Sequence, residues 1–387
     1  FGLFNFATAF TALFGAVAAL GLRGIVVRDI VQDPSCKKET LGTAALLHLI
    51  GGAIAYVMII GGIFWVRPDD PLARSLVAIL GAVMLLQAGQ VAVYWFESQV
   101  QSKYTVWVQN AVFLVMAATK VVLILFNAPL IAFAWVMFTE AALVAFILFI
   151  VMGVRGASLR KLRVSLSRAK SLLHDSWPLI LSSIAITIYM KIDQIMLGQM
   201  LNDEAVGIYS AAVRISEVWY FIPAVIASSL FPSIINAKKH SEQRYYSVLQ
   251  KLYDLMVWVA IAIAIPVTFL SETMVFLLYG EQFKQAGSVL TLHIWSGVFV
   301  FLGVAKGKFM LAENIQYLGY IYSSFGAFIN VLLNYLLIPK IGLLGAALST
   351  LVSQFFSAYF LSYFHRIDRI SAIMFNRSIF ILLRKVK

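Results

Sequence analysis

Apolar runs long enough to cross a membrane recur along the whole chain. About 20 such residues in an α-helix span the hydrocarbon core. Eleven runs meet this length and are predicted as spanning helices: 3–22, 44–66, 73–96, 105–126, 130–152, 178–201, 207–235, 252–271, 287–311, 317–338 and 341–364. The 387 residues are 61% hydrophobic and 12% charged, whereas a soluble domain is about 45–50% apolar and 25% charged. The sequence predicts an all-α integral membrane protein.

The second half of the chain repeats the pattern of the first. A shift of about 205 positions places Phe1–Asn5 on Val206–Ser210, and Thr119–Ala141 runs beside Ile329–Leu351 at a similar offset. The span at 178–201 has no counterpart ahead of the opening residues. We therefore expect one further N-terminal helix in the intact protein, and twelve helices in two pseudo-symmetric six-helix bundles.

These patterns predict four regions. They are an N-terminal bundle at 1–152, a basic linker at 153–177, a C-terminal bundle at 178–365 and a basic tail at 366–387. The linker has leucines at helical spacing that begin at Leu159, with basic residues between them. A helix lying on an anionic leaflet is therefore an alternative to a plain linker.

Basic residues lie almost entirely in the tail and in one set of loops. The opposite loops hold only Arg67, Arg74, Lys284 and Lys340. The positive-inside rule then predicts that the basic loops and the C-terminus are cytoplasmic. Topology thus explains the net charge of +12, and no nucleic-acid partner is expected. The five histidines have no metal-ligand spacing, so neither a metal nor another cofactor is expected.

Four charged residues fall on the helical hairpin that opens the second half. Its turn centres near Asp203, which places Asp193 level with Arg214 and Lys191 level with Glu217. Charges at this depth need partners or a water-filled cavity. One interpretation is a cavity in which Arg214 and Lys191 bind an anionic substrate while Asp193 and Glu217 act as charge partners or couple an ion. The alternative is ion pairs that only hold the two helices together.

The first half carries a similar pair. Lys120 and Glu140 flank a turn at similar depth, and the repeat places Asn330 and Thr350 at the corresponding positions. The same two interpretations apply, with Lys120 as a substrate ligand and Glu140 as its partner or as an ion-coupling group.

Two lysines lie near the predicted cytoplasmic end of one span. Lys306 and Lys308 either snorkel to the membrane surface or meet an anionic headgroup as it enters from the cytoplasm.

Several segments resemble a known family. They are FGLFNFA, LGLRGIVVRDI, KIDQIMLGQ, VGIYSAAVRISEVWYFIPAVIASSLFPSI and IPKIGLLGAALST. They are similar to the polysaccharide-transport proteins, the O-antigen type flippases of the multidrug/oligosaccharidyl-lipid/polysaccharide superfamily. The resemblance implies a MATE-like fold with two bundles facing a central cavity, and it places Lys191, Asp193 and Arg214 at that cavity.

The resemblance also implies an activity. The expected function is gradient-driven flipping of a prenyl-pyrophosphate-linked oligosaccharide across the bacterial inner membrane for O-antigen type polysaccharide synthesis, by a transporter rather than an enzyme. Membrane lipid, a polysaccharide polymerase and chain-length components are the expected partners.

Two alternatives stay open. An efflux transporter for organic cations would need a net acidic site, and a polymerase or other membrane component of glycan assembly would need a large extracytoplasmic loop.

Overall fold

The computed structural model describes residues 1–156 and 162–379. Within these ranges the chain is helical and forms no strand. The helices of the first half are α1 (Gly2–Ala12), α2 (Gly15–Ala19), α3 (Leu22–Gln32), α4 (Lys37–Val66), α5 (Pro71–Gly81), α6 (Gln90–Ser98), α7 (Lys103–Leu125) and α8 (Leu130–Val154). Those of the second half are α9 (Leu166–Met200), α10 (Asp203–Glu217), α11 (Phe221–His240), α12 (Glu242–Tyr279), α13 (Gln285–His293), α14 (Ser296–Glu313), α15 (Tyr317–Ile341), α16 (Leu343–Ala358) and α17 (Arg369–Ile379).

The number of spans agrees with the sequence. Ten helical segments of the described chain are long and apolar enough to cross a membrane, and a bent pair, Gly2–Ala12 with Gly15–Gln32, raises the number to eleven. The pair bends by 41°. The predicted all-α integral membrane fold is confirmed.

One compact unit runs from Ala7 to Thr187. Its core includes Leu22, Trp95 and Leu148, each at most 4% exposed. Because these residues come from α3, α6 and α8, the unit closes around side chains that are distant in sequence.

The span from α5 to α6 is interrupted by a 3₁₀ stretch, Ala82–Gly89. Such stretches seldom exceed three or four residues, and inside a helix they often mark a functional hinge or strain. Gly89 lets this stretch approach α8, since a Cβ at that position would lie 2.6 Å from the Cβ of Ala145. The interruption therefore depends on a residue without a side chain.

The predicted linker is partly helix. Its residues 157–161, which include Leu159, lie outside the described residues, but α9 already begins at Leu166. Leu172 is fully buried in the core of the first unit, and Arg168 pairs with Asp29 at 2.9 Å. Packing and an ion pair thus hold the start of α9, which differs from an interfacial helix lying on a leaflet.

A second compact unit comprises Phe1–Phe6 and the chain from Ile188 onward. The division falls inside α9 rather than in the predicted linker. Tyr253, Phe301 and Phe309 are fully or almost fully buried in its core.

The spanning segment of α10 and α11 is broken by a 3₁₀ turn, Val218–Tyr220. Pro223 follows at once and explains the break. Proline has no N–H to donate to the carbonyl four residues earlier, and its ring crowds that carbonyl.

The described part of the predicted basic tail, residues 366–379, packs into this unit. The tail's residues 380–387 lie outside the described residues, but α17 buries Met374 and Phe375 in the core shared with α12 and α14. The buried positions Ser371, Met374, Phe375 and Ser378 follow the i, i+3, i+4, i+7 spacing of an amphipathic helix. The mean hydropathy of Arg369–Ile379 is low, so hydropathy alone does not identify it as a packed helix.

Candidate functional site

A buried carboxylate lies at the centre of the second unit. Asp193 on α9 is 3% exposed, and its Oδ2 accepts hydrogen bonds from Tyr209 of α10 at 2.6 Å and from Thr350 of α16. Its Oδ1 accepts one from the amide of Asn334 of α15 at 2.5 Å. Every donor is a neutral group. Among the described residues, Asp193 forms no ion pair.

A small cavity of about 20 Å³ adjoins Asp193. Tyr189, Glu217, His293 and Gln354 also line it. A volume of roughly 10–15 Å³ is enough to hold one water. The space thus fits a water or a small ion beside the carboxylate, and it is far too small for an organic molecule of drug size.

The predicted pair between Lys191 and Glu217 is present. Lys191 Nζ lies 3.5 Å from Glu217 Oε2, and both side chains are about one-quarter exposed. The two charges compensate each other beside the Asp193 cluster.

The predicted pair between Asp193 and Arg214 is absent. Arg214 instead donates from Nη2 to the Oδ1 of Asn5 at 2.7 Å, and its guanidinium lies 5.3 Å from the ring centroid of Phe1. Arg214 is exposed, and within the described residues it has no carboxylate partner. Its guanidinium therefore forms no salt bridge within the described part of the chain.

Helix geometry explains why one predicted pair formed and the other did not. Equal depth fixes the level of a side chain but not its direction around the helix. Lys191 and Asp193 are two positions apart, which is about 200° around an α-helix. With Lys191 facing Glu217, Asp193 points in a different direction from α9 and takes its partners from Tyr209 of α10, Asn334 of α15 and Thr350 of α16.

The charged pair of the first unit is also formed. Lys120 Nζ on α7 lies 3.0 Å from Glu140 Oε2 on α8, with both side chains about one-third exposed. The pair borders a cavity of about 710 Å³ whose walls belong entirely to the first unit.

Lys306 does not snorkel, so that interpretation is wrong. Its ammonium is buried against Asp368 at 3.2 Å, and it donates to the carbonyls of Ser357 and Ala358. The charge is already paired, which argues against a headgroup ligand here. Lys308 is half-buried, with its ammonium 5.0 Å from the ring of Phe231.

Sequence reasoning missed the uncharged members of the site. Asn330 and Thr350 were identified only as counterparts of a charged pair, and Asn334 was not singled out. Asn330 and Asn334 are one helical turn apart in an apolar span, so they share a face. Carboxamides inside a membrane span are a usable signal, because each needs a partner there.

Arg214 and Asp193 are ionisable groups of opposite type, and neither forms a salt bridge among the described residues. Arg214 offers a cation that is free to bind an anion, while Asp193 offers a carboxylate that is free to take up a proton or a small cation. The neutral Lys191–Glu217 pair lies on the same two helices. Such a unit can bind an anionic group and a cation without direct neutralisation of one by the other.

Two proteins with known names are similar to this chain in sequence. A relative from Haloferax volcanii, the probable low-salt glycan biosynthesis flippase Agl15, is 24% identical over 361 residues, which cover 89% of this chain and 72% of the relative. The capsular polysaccharide biosynthesis protein CapF of Staphylococcus aureus is 23% identical over 203 residues, which cover 52% of this chain and 51% of CapF.

Solved structures show the same fold. An inward-facing multidrug resistance MATE family transporter of the MOP superfamily superimposes with a TM-score of 0.75 at 15% identity, covering 95% of this chain and 90% of that one. The lipid II flippase MurJ in an inward closed conformation gives a TM-score of 0.73 at 12% identity, covering 99% and 93%.

Family profiles cover both halves. The MatE profile matches residues 178–336. The profile described as polysaccharide biosynthesis protein matches residues 1–238, which is more than half of the chain. The chain is a multi-pass membrane protein that belongs to the polysaccharide biosynthesis protein family.

Proposed function

We propose that this protein is a flippase that moves a prenyl-pyrophosphate-linked oligosaccharide from the cytoplasmic to the outer leaflet for surface polysaccharide synthesis of the O-antigen type. The observation that carries the proposal is an arginine in a spanning segment, Arg214, that forms no salt bridge among the described residues. The relatives named as flippases support the same class of activity.

Arg214 suits the pyrophosphate group. A guanidinium presents five donors in a planar fork that can bind two phosphate oxygens at once. Asn5 uses one donor and Phe1 supports the guanidinium, so several donors are free for a ligand. Lys191 is the secondary cation, because Glu217 already neutralises it.

Asp193 is the proposed coupling residue. A carboxylate whose hydrogen-bond donors are all neutral has no cationic partner, so a proton or a monovalent cation from a gradient can serve as its counter-charge. Beside it, the buried Asn334 Oδ1 has no hydrogen-bond partner among the described residues. An unused carbonyl oxygen next to a carboxylate is a ligand type that hard cations prefer. Glu217 and Glu140 are each paired with a lysine, so they rank below Asp193 for this role.

The proposed orientation rests on the distribution of basic residues. We assign the protein to the bacterial inner membrane with the basic loops and the C-terminus on the cytoplasmic side. A polymerase and chain-length components remain the proposed partners, since they would consume the exported oligosaccharide.

Efflux of organic cations is less favoured. The uncompensated carboxylate of Asp193 would be the natural ligand for such a cation, but its cavity of about 20 Å³ excludes a molecule of that size.

The test is translocation in proteoliposomes. The protein is reconstituted, a prenyl-pyrophosphate-linked oligosaccharide is placed in one leaflet, and its appearance in the other is followed with and without a proton or sodium gradient. We expect Arg214→Gln to slow transport by about 10–100-fold, because charge-assisted hydrogen bonds contribute about 1.5–3 kcal/mol each.

Two controls separate binding from folding. Arg214→Lys keeps the charge but loses the fork and should be intermediate. Arg244→Gln removes an exposed arginine at the start of α12 and should leave transport unchanged. Normal transport by Arg214→Gln at equal protein levels would refute the assignment, and efflux of an organic cation without lipid transport would favour the alternative.

A further inference from the structure

Two of the cavities described above border residues of the charged pairs. The larger one lies in the first unit, beside Lys120 and Glu140. Its volume of about 710 Å³ lies within the range of roughly 300–1,000 Å³ that is usual for ligand sites. Four carboxamides line it: Gln87, Gln90, Gln109 and Asn110. So many amides in one cavity of a membrane-spanning unit are unusual, because uncharged polar groups there require partners.

The 3₁₀ stretch directs two of these amides into the cavity. In a 3₁₀ helix, residues three apart eclipse one another. Met84, Gln87 and Gln90 follow that spacing, from within the stretch to the residue just past its end, and all three line the cavity. In a regular α-helix these positions would drift around the axis. The local geometry thus builds a polar row, and the close approach of Gly89 to Ala145 holds it in place.

Helix α7 supplies the opposite wall. Gln109, Phe113 and Lys120 fall within about 40° of one another around an α-helix of 3.6 residues per turn. All three line the cavity, and Phe113 is 55% exposed. The wall therefore combines an amide, an open aromatic face and a charge that Glu140 compensates.

The cavity has hydrogen-bonding capacity without net charge. Among the described residues, no side-chain hydrogen bond involves any of the four carboxamides, and the only charged lining residues are Lys120 and Glu140, which pair with each other at 3.0 Å. Each carboxamide offers two donors and an acceptor. This chemistry suits a neutral polyhydroxylated molecule and is poorly suited to a pyrophosphate.

We propose that this cavity binds the glycan portion of the lipid-linked oligosaccharide. The carboxamides exchange hydrogen bonds with sugar hydroxyls, which are themselves donors and acceptors, and the ring of Phe113 packs against the apolar face of a sugar ring. The inference rests on the proposed flippase function and extends it, because it names a cavity of the first unit as the place that binds the sugar.

The experiment compares two carriers in proteoliposomes. One is the lipid-linked oligosaccharide extracted from membranes of cells that make this protein, and the other is the same prenyl pyrophosphate with a single sugar. For the full carrier, we expect Gln87→Met with Gln90→Met to raise the half-saturating concentration about tenfold. For the single-sugar carrier, we expect less than about a twofold change. Gln99→Met, an amide just beyond α6 and outside the cavity, is the matched control.

A second measurement does not depend on transport. Mild acid releases the free oligosaccharide from the extracted carrier, and saturation-transfer NMR then detects its binding to the purified protein. Binding that is lost in Gln87→Met with Gln90→Met and reduced in Phe113→Leu supports the site.

The outcomes distinguish the two proposals. Oligosaccharide binding with no transport by the wild-type protein would overturn the flippase function but keep the glycan site. Transport with no binding of the free glycan, or equal loss for both carriers in the single variant of the exposed Gln90, Gln90→Met, would overturn the glycan site. Absence of both transport and binding would overturn both.

Discussion

The two halves have different side chains at corresponding positions of the repeat. In the first half, Lys120 and Glu140 face each other across α7 and α8 and cancel their charges. In the second half, the repeat places Asn330 and Thr350 at those positions, and the charge comes from Asp193 on a third helix. The repeated frame thus accepts either a self-neutralising pair or a carboxylate held by neutral donors.

If transport is coupled to an ion, as proposed, this difference predicts that the second half responds to it. A paired lysine and glutamate keep a constant net charge whatever binds nearby, which suits a cavity for a neutral ligand. A carboxylate with only neutral partners changes its net charge when it takes up a cation. Duplication of a bundle therefore need not duplicate its chemistry.

The sharpest test of this contrast is Asp193→Asn. Removing the charge should lower gradient-driven transport by about 10–150-fold, because an amide cannot take up a proton and loses the charge-assisted contacts to a bound cation, which are worth about 1.5–3 kcal/mol. Transport down a lipid concentration gradient alone should fall much less. The measurement is the transport rate with and without an imposed gradient, and equal losses in both conditions would show that Asp193 is structural.

The first-half pair should respond differently. Glu140→Gln leaves the ammonium of Lys120 without its carboxylate and should lower the free energy of unfolding by about 2 kcal/mol, less than the 3–5 kcal/mol of a fully buried pair. Lys120→Met with Glu140→Leu should recover most of that loss. Chemical unfolding in detergent measures both, and a double variant as unstable as the single one would contradict a mainly structural pair.

The close packing of Gly89 beside Gln87 and Gln90 can be tested by the addition of one methyl group. Gly89→Ala places a Cβ 2.6 Å from that of Ala145, and we expect a loss of about 1–2 kcal/mol in unfolding free energy from overpacking. Gly61→Ala in α4 is the matched control, because nothing lies within 4 Å of the added Cβ. If both variants unfold alike, the close approach does not constrain the 3₁₀ stretch.

Loss of a helix cap should destabilise the two halves by a similar amount. Asp70 accepts a hydrogen bond from the N–H of Ala73 at 2.9 Å, and Asn202 accepts one from Ala205 at 2.8 Å. Alanine at either cap should cost about 1 kcal/mol. Unfolding midpoints measure this, and a much larger loss in one half would mean that its cap also holds the neighbouring polar cluster.

Hydropathy and depth predicted much of this molecule. The spans follow from apolar length alone, and the contact of Lys191 with Glu217 followed from their equal distance to one turn. Depth could not predict the partners of Asp193, because it leaves the rotation of the helix undetermined. Asn334 lies 141 residues away in the chain, and its neutral amide is not found by a search for charged residues in the spans.

The two halves do not turn at corresponding residues of the repeat. The offset that sets Thr119–Ala141 beside Ile329–Leu351 also sets Pro129 on Pro339, yet Pro129 precedes α8 whereas α15 continues through Pro339 to Ile341. The second hairpin turns at Gly342 instead, whose φ of 59° and ψ of −131° favour glycine. Sequence similarity located the hairpin but not the residue at which it reverses.

The buried pair of Lys306 and Asp368 has a consequence for biosynthesis. A ribosome adds about 5–20 residues per second, so Lys306 is made several seconds before its counter-charge. During that interval its ammonium is unpaired, and placing it in hydrocarbon is costly. Helix α14 can reach its final position only after the polypeptide up to Asp368 has been synthesised. Premature termination upstream of Asp368 therefore leaves the ammonium of Lys306 without its carboxylate partner.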